Sequence, residues 1–314
     1  MNKLRVAVIG AGHLGSIHAN MYSSLRRTCG LTLVGVCDIR KSVAKEVADR
    51  NNTLFYTDHR ELLDKVDAVS IVVPTTRHYE VAKDFLKAGV HVLIEKPITK
   101  TLEEADELIA IAKKKKLIIQ VGHIERFNSA IRSIEPFIKK PKFIECQRLG
   151  SIQKKKRIKD VGVVLDLMIH DIDIILGLLR SKVKSIEAVG VSTVSRHEDM
   201  ANVRLGFQSG AIADITASRV TKEETRKIRI FQEDSYILLD FLHQDAILFR
   251  KTETSLIKEK INIHKKNALQ IELRSFVDCV RNGQKPLVSG QEGRQALEVA
   301  LAILEKIKNN PASK

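Results

Sequence analysis

From residue 4 onward, short apolar runs alternate with stretches whose apolar positions recur every three or four residues. Residues 4–9 are mostly apolar and partly β-branched, as in a strand buried on both faces of a parallel sheet. Residues 16–25 carry helical periodicity, and 31–37 form a second apolar run. The pattern continues with helices over 41–51 and 58–64, a strand over 67–73 stopped by Pro74, and a helix over 77–88 ending at Gly89. A strand over 90–94 follows. Thr101, with Glu103 and Glu104 behind it, opens a helix to residue 115 as an N-cap with an acidic first turn. A strand over 117–121 closes the series. Strands alternating with helices predict an α/β, doubly wound parallel sheet covered on both faces.

Beyond Gly122 the pattern changes. Residues 128–138 read as helix, 142–148 as strand and 161–179 as a long apolar helix. Strand-like runs then occupy 183–195, 201–208, 211–219, 226–232, 236–240 and 246–250. Short turns such as Gln208-Ser209-Gly210 and Gln232-Glu233-Asp234 favour antiparallel pairing. Helices over 268–281 and 291–308 finish the chain. The expected organisation is a Rossmann domain over residues 1–121 and an α+β domain over 122–314, its sheet mostly antiparallel. The last helix is free to pack back on the first domain. One face of the second sheet is covered by helices, and the other, carrying Val, Ile, Leu and Phe, predicts packing against a second copy.

Composition narrows the function. The 314 residues carry a net charge of +15, concentrated at 113–116, 139–142 and 154–157. The first two clusters follow predicted helices, where cations suit the negative end of the dipole. With 4% aromatic residues, no Trp and no recognition-helix motif, the charge predicts solvated faces and anionic small molecules, with no nucleic-acid partner. No apolar run is long enough to span a bilayer, and the chain opens on its first strand without a signal-peptide pattern. Cys29, Cys37, Cys146 and Cys279 are scattered, without C-x-x-C spacing. A reduced, cytoplasmic protein without a membrane partner is expected.

The candidate chemistry begins with Gly10-x-Gly12-x-x-Gly15, which enclose His13 and Leu14 directly between the first strand and its helix. In that context Gly10 allows the tight turn, Gly12 admits a pyrophosphate to the backbone, and Gly15 lets helix and strand approach. Asp38 ends the second strand, where a carboxylate accepts from the adenosine ribose hydroxyls. It favours NAD by repelling a 2′-phosphate, while Arg40 two residues on leaves NADP open. Other groups at predicted strand ends are Thr75, His78, Glu95-Lys96-Pro97 and Gly122-His123. Lys96 follows an apolar strand and precedes a proline that fixes the turn. An ammonium held there beside a cationic ring has its pKa lowered and suits proton transfer or alkoxide stabilisation. In the apolar stretch 161–179, spacings of four and three set Asp166, His170 and Asp173 on one helix face. Asp166 can hold His170 in one tautomer, leaving the imidazole to take a proton from a substrate hydroxyl. As zinc ligands the pair lacks a third member, so no metal is expected.

Gly10-x-Gly12-x-x-Gly15, Glu95-Lys96-Pro97 and Asp160-x-Gly162 with Asp166-x-x-x-His170 stand in this order over nearly the whole chain. Together they resemble the signature of the glucose–fructose oxidoreductase/inositol dehydrogenase (Gfo/Idh/MocA) family. The resemblance implies NAD(P)-dependent oxidation of a sugar or polyol hydroxyl, with Lys96 and His170 as catalytic pair and Asp166 beside them. It further implies that the residues around Thr75, His78 and Glu95 touch the cofactor, that the bond before Pro97 is cis, and that homodimers or homotetramers form through the C-terminal sheet. Residues 121–128 and 157–166 look most like the branch that oxidises the 3-hydroxyl of UDP-N-acetylglucosamine, toward a 2,3-diamino sugar for lipid A, with Ser129 departing from the proline expected there. That branch points to Arg126, Arg148, Arg157 and Asp166 for substrate, since arginine forks suit a diphosphate. A dehydrogenase of an inositol or aldose, and a non-catalytic NAD(P)-binding sensor, are the alternatives. Lys96, Asp166 and His170 together argue against the sensor. Whether Lys96 or His170 is the base stays open.

Overall fold

A computed structural model describes residues 3–151 and 161–313. The chain divides into two compact units, Met1–Ile124 with Asn267–Arg294, and Glu125–Lys266 with Gln295–Lys314.

In the first unit, β1 (Leu4–Ile9), β2 (Leu31–Cys37), β3 (Leu54–Tyr56), β4 (Ala68–Ile71), β5 (His91–Glu95) and β6 (Ile119–Gly122) pair in parallel, in the order β3-β2-β1-β4-β5-β6. Its helices are α1 (His13–Leu25), α2 (Lys41–Arg50), α3 (His78–Ala88) and α4 (Leu102–Lys115). Gly89 ends α3 in the left-handed region, and Thr101 and Glu104 close a reciprocal capping box at the start of α4. Strand order reverses between β1 and β4, the place where such sheets bind ligands beyond their carboxyl ends. The short β3 follows a helix without the apolar run that marks the other strands.

Residues 267–294 group with this unit, rather than with the second domain to which the sequence pattern assigns them. The physical reason is the apolar stripe of α7 (Ala268–Asn282). Leu269, Leu273, Phe276 and Val277 join Ala19, Tyr22 and Leu25 of α1 in one buried cluster. The penultimate helix returns together with the first turn of the last one, whose Arg294 pairs with Asp106 of α4 at 2.8 Å.

In the second unit, strands β7 (Phe143–Ser151), β8 (Val183–Val191), β9 (Met200–Phe207), β10 (Ile212–Ser218), β11 (Val220–Phe231), β12 (Ser235–Asp240), β13 (Asp245–Lys251) and β14 (Leu256–Ile261) form one sheet. Their order is β14-β13-β12-β11-β7-β10-β9-β8, antiparallel throughout except for β10 beside β7. One face carries Ile144, Ile228, Ile230, Ile237, Val203 and Leu205 into a core shared with α6 (Ile169–Leu179) and the second half of α8 (Gly290–Asn309). The strand β14, Leu-Ile-Lys-Glu-Lys-Ile, has too much charge to read as a strand, and that charge suits a sheet edge. Pro136 cuts the predicted helix over 128–138 into α5 (Ser129–Ile134) and a 3₁₀ turn, Glu135–Phe137. The predicted helix over 161–179 also divides: a π-helical turn, Val164–Met168, precedes α6.

Candidate active site

In the first unit the glycine turn is built as its spacing predicts. Gly10 has φ 95° and lies against the Val72 carbonyl, so a side chain there is both strained and blocked. A Cβ on Gly15 would run into the Gly10 carbonyl oxygen, whereas one on Gly12 would meet nothing within 4 Å. The turn is therefore open at the position that a pyrophosphate approaches. Helix α1 starts from Gly12 without a side-chain cap, leaving first-turn N–H groups, those of His13 and Leu14 among them, for an anion. These features fit a dinucleotide.

Asp38 stands just past β2. Its Oδ2 accepts the Ala11 N–H at 2.9 Å and its Oδ1 the Arg40 N–H at 3.0 Å, with the Arg40 guanidinium closing on the same carboxylate. Burial pushes the Asp38 pKa up, but the Arg40 and Ala11 hydrogen bonds outweigh it and hold the carboxyl below its usual range. Arg40 thus pairs with Asp38 in this structure.

Beyond β5 the Lys96–Pro97 bond is cis. Lys96 is partly buried, and its N–H meets Glu95 Oε2 at 3.3 Å. The Glu95 carboxylate lies over Gly122, where a Cβ would stand 2.8 Å from it, and its Oε1 is 3.3 Å from His18 Nε2. Burial raises the Glu95 pKa, yet His18, with help from Lys96 and His78, brings it below the ordinary value. The fully buried Glu272 of α7 behaves oppositely: burial, reinforced by the charge on Glu95, drives its carboxyl well above the usual range. Two nearby carboxyls are thereby pushed apart, one below its ordinary range and one well above it. Of the other strand-end residues, Thr75 is half-buried at the head of a 3₁₀ turn. His78 is 1% exposed, with its nitrogens 2.9 Å from the Pro97 carbonyl and 3.0 Å from that of Val73. The His78 ring braces the turns after β4 and β5, a role inside the protein rather than at its surface.

In the second unit, Asp166 falls within the π-helical turn and His170 at the start of α6, both partly exposed. A π turn inside a helix is uncommon and concentrates at functional sites. Asp173 parts company with them: it is 2% exposed, its carbonyl accepts from Arg126 at 3.2 Å, and its carboxylate pairs with the same guanidinium at 3.6 Å. Arg126 itself is packed over Gly177. Arg148 is 3% exposed, donating to both Asp171 oxygens at 2.8 Å and to Glu125 Oε1 at 2.9 Å. Of the three arginines that the sequence offers to the substrate, Arg126 and Arg148 are engaged inside the fold, because each lies next to buried carboxylates that need a counter-charge. Arg157 lies outside the described residues.

Chemically, the first unit presents an uncapped helix start, a carboxylate just past β2 and an ammonium. The second presents a carboxylate and an imidazole at a helix entry. Among the described residues there is no group of three or more side chains arranged to hold a metal ion, and no helix long and apolar enough to cross a membrane. Sequence reasoning missed His18 and Glu272, since their partners lie far along the chain and neither sits in a motif.

Residues 4–123 match the family described as "Oxidoreductase family, NAD-binding Rossmann fold", and residues 138–237 match the GFO/IDH/MocA C-terminal domain. The UDP-N-acetylglucosamine 3-dehydrogenase of Acidithiobacillus ferrooxidans is 36% identical over 96% of this chain and 97% of its own. Its solved structure superposes with a TM-score of 0.92, covering 98% of this chain and 99% of that one. The scyllo-inositol 2-dehydrogenase (NAD(+)) of Bacillus subtilis is 30% identical over 98% of this chain and 95% of its own. Similarity of this extent, carried by both domains in the same order, makes the chain a member of the Gfo/Idh/MocA family of NAD-binding oxidoreductases.

Proposed function

We propose that this protein oxidises a secondary hydroxyl of a nucleotide sugar, the 3-hydroxyl of UDP-N-acetylglucosamine, to the ketone in the cytoplasm. The observation that carries the substrate is the full-length, 36% identical relative named for that reaction. Asp166 and His170 at the π-turned helix entry and Lys96 beside its cis proline supply the side chains the chemistry asks for. Bound nicotinamide supplies the hydride acceptor. Lys96 stabilises negative charge developing on the substrate oxygen, and either His170 or Lys96 removes the hydroxyl proton. Asp166 accepts from the sugar and orients the imidazole. Asp38 selects NAD, with Arg40 leaving room for NADP. Arg157 and its lysine neighbours are the proposed diphosphate contact. Four buried, unpaired cysteines agree with a reducing compartment.

The test is absorbance at the NADH band on mixing protein, NAD and a panel of UDP-sugars, free aldoses and inositols. Turnover of UDP-N-acetylglucosamine alone is expected. Turnover of free polyols alone would move the substrate to the inositol class, and cofactor binding without turnover of any sugar would replace the enzyme by a sensor. Lys96→Ala and His170→Ala should each lower turnover about 10²- to 10⁴-fold, with NAD affinity nearly unchanged.

We also propose a homodimer or homotetramer through the helix-free face of the second sheet. That face carries a cross-strand ladder of Phe143, Phe231, Tyr236 and Phe249, with ring centroids 5.7, 4.7 and 5.2 Å apart. Partly buried Leu238 and Ile247 lie on the same face. A self-complementary apolar patch suits a second copy of the chain. Light scattering at micromolar concentration should give at least twice the monomer mass. A stable monomer removes the proposal.

A further inference from the structure

The segment that enters the π turn is held by residues from distant parts of the second unit. Glu198 is 9% exposed, and its carboxylate occupies the space over Gly162, where any Cβ would collide with it. Its Oε1 accepts the Val164 N–H at 3.1 Å, and its carbonyl accepts the Val163 N–H at 3.0 Å. Arg219, 4% exposed, donates to the Val161 carbonyl at 2.8 Å and to Asp199 Oδ1 at 2.8 Å. Asp199 is fully buried, and its Oδ2 gathers the N–H groups of Thr193, Val194 and Ser195 at 2.7 to 3.0 Å. Helix starts are ordinarily capped by a side chain a few residues upstream. Here the cap comes from 34 residues downstream and acts two residues before Asp166.

From this geometry we infer that Glu198 is a positioning residue for the oxidation: it fixes the pitch of the turn that aims Asp166 and His170, and Gly162 is glycine to admit its carboxylate. The role rests on the functions proposed above for Asp166 and His170. Loss of the Val164 hydrogen bond lets residues 163–168 relax toward an ordinary α-helical turn, rotating Asp166 relative to His170. Displacements of about 1 Å in such groups cost up to about 100-fold in rate.

The experiment compares Glu198→Ala, Glu198→Asp, Glu198→Gln and His170→Ala with the wild type in turnover of whichever sugar of the panel it oxidises. Thermal unfolding and NAD affinity are measured alongside. Aspartate is one methylene too short to reach the Val164 N–H, while glutamine keeps an acceptor oxygen at the same reach. Expected are a fall in kcat of about 10- to 100-fold for Ala and Asp that exceeds any rise in KM, unchanged NAD affinity, and recovery of most of kcat in Gln. A folded Asp variant with wild-type kcat, alongside an inactive His170→Ala, overturns the inference and leaves the proposed function standing. Equal losses in Asp and Gln also overturn it, since glutamine keeps the acceptor at the same reach and its failure would show that the Val164 hydrogen bond is not what the rate depends on. Full turnover by His170→Ala would instead remove the proposed function and this inference with it.

Discussion

The glycine turn after β1 and the segment entering α6 both deliver functional groups at the start of a helix, but they are held in opposite ways. In the first, the geometry is local. Gly10 lies against the Val72 carbonyl just past β4 and Gly15 against the Gly10 carbonyl, and a single carboxylate, Asp38, steadies the turn by accepting the Ala11 N–H. In the second, the Val161 carbonyl and the Val163 and Val164 N–H groups are tied to Glu198 and Arg219, up to 58 residues away, through buried hydrogen bonds and an ion pair. A turn that offers its main chain to a ligand is shaped chiefly by absent side chains. One that aims a carboxylate and an imidazole must be braced by groups that stay put, and in a buried setting those are charged groups paired to one another.

The contrast can be broken most directly in the second unit. Arg148→Met leaves Asp171 and Glu125 buried without their shared counter-charge, and should cost about 3–5 kcal/mol, read as a fall in thermal unfolding temperature. An unchanged unfolding temperature would show that buried ion pairs are not what holds that unit. Next in size, Asp38→Ala in the first unit removes a charged hydrogen-bond acceptor. It should weaken NAD binding by about 1.5–3 kcal/mol in titration calorimetry, with a smaller loss for NADP, which the carboxylate repels. An equal loss for both cofactors would detach Asp38 from the ribose.

The smallest effect concerns Glu272. Its carboxyl is held well above the ordinary 4.5 by burial first and by Glu95 second. A raised folded-state pKa means that the favourable neutral form is fully populated in both states below 4.5, while above it the unfolded chain ionises and the folded one resists. Stability therefore drains away as pH rises from that value toward the folded pKa. Glu272→Gln should raise the unfolding temperature at about pH 8 and lose that advantage toward about pH 5. A gain that does not vary with pH would mean that Glu272 ionises normally.

Much of the first unit is legible in the order of its amino acids. Periodicity locates its helices and five of its strands, and the spacing of Gly10, Gly12, Gly15 and Asp38 locates a nucleotide site, because those roles depend on main-chain shape a few residues away. In the second unit periodicity finds most strands and the Asp166–His170 pair but draws one long helix. A π turn leaves the apolar pattern of residues 161–179 unchanged, so nothing local can show it. The same limit explains Arg148 and Arg126. An arginine beside apolar residues looks alike whether it awaits a phosphate or faces Asp171 or Asp173 across a core.

The order of apolar runs and breakers, the glycine spacing and the placing of Asp38, Lys96, Asp166 and His170 are properties of the chain alone, since each depends on neighbours within a turn or a strand. Folding decided how the charges are disposed: it pushed the Glu272 carboxyl up and that of Glu95 down, turned Arg148 inward and brought Glu198 onto Gly162. Those outcomes depend on desolvation and on partners up to 152 residues apart, as where Gln120 meets the Glu272 carbonyl, and such distances are set only when the tertiary structure closes.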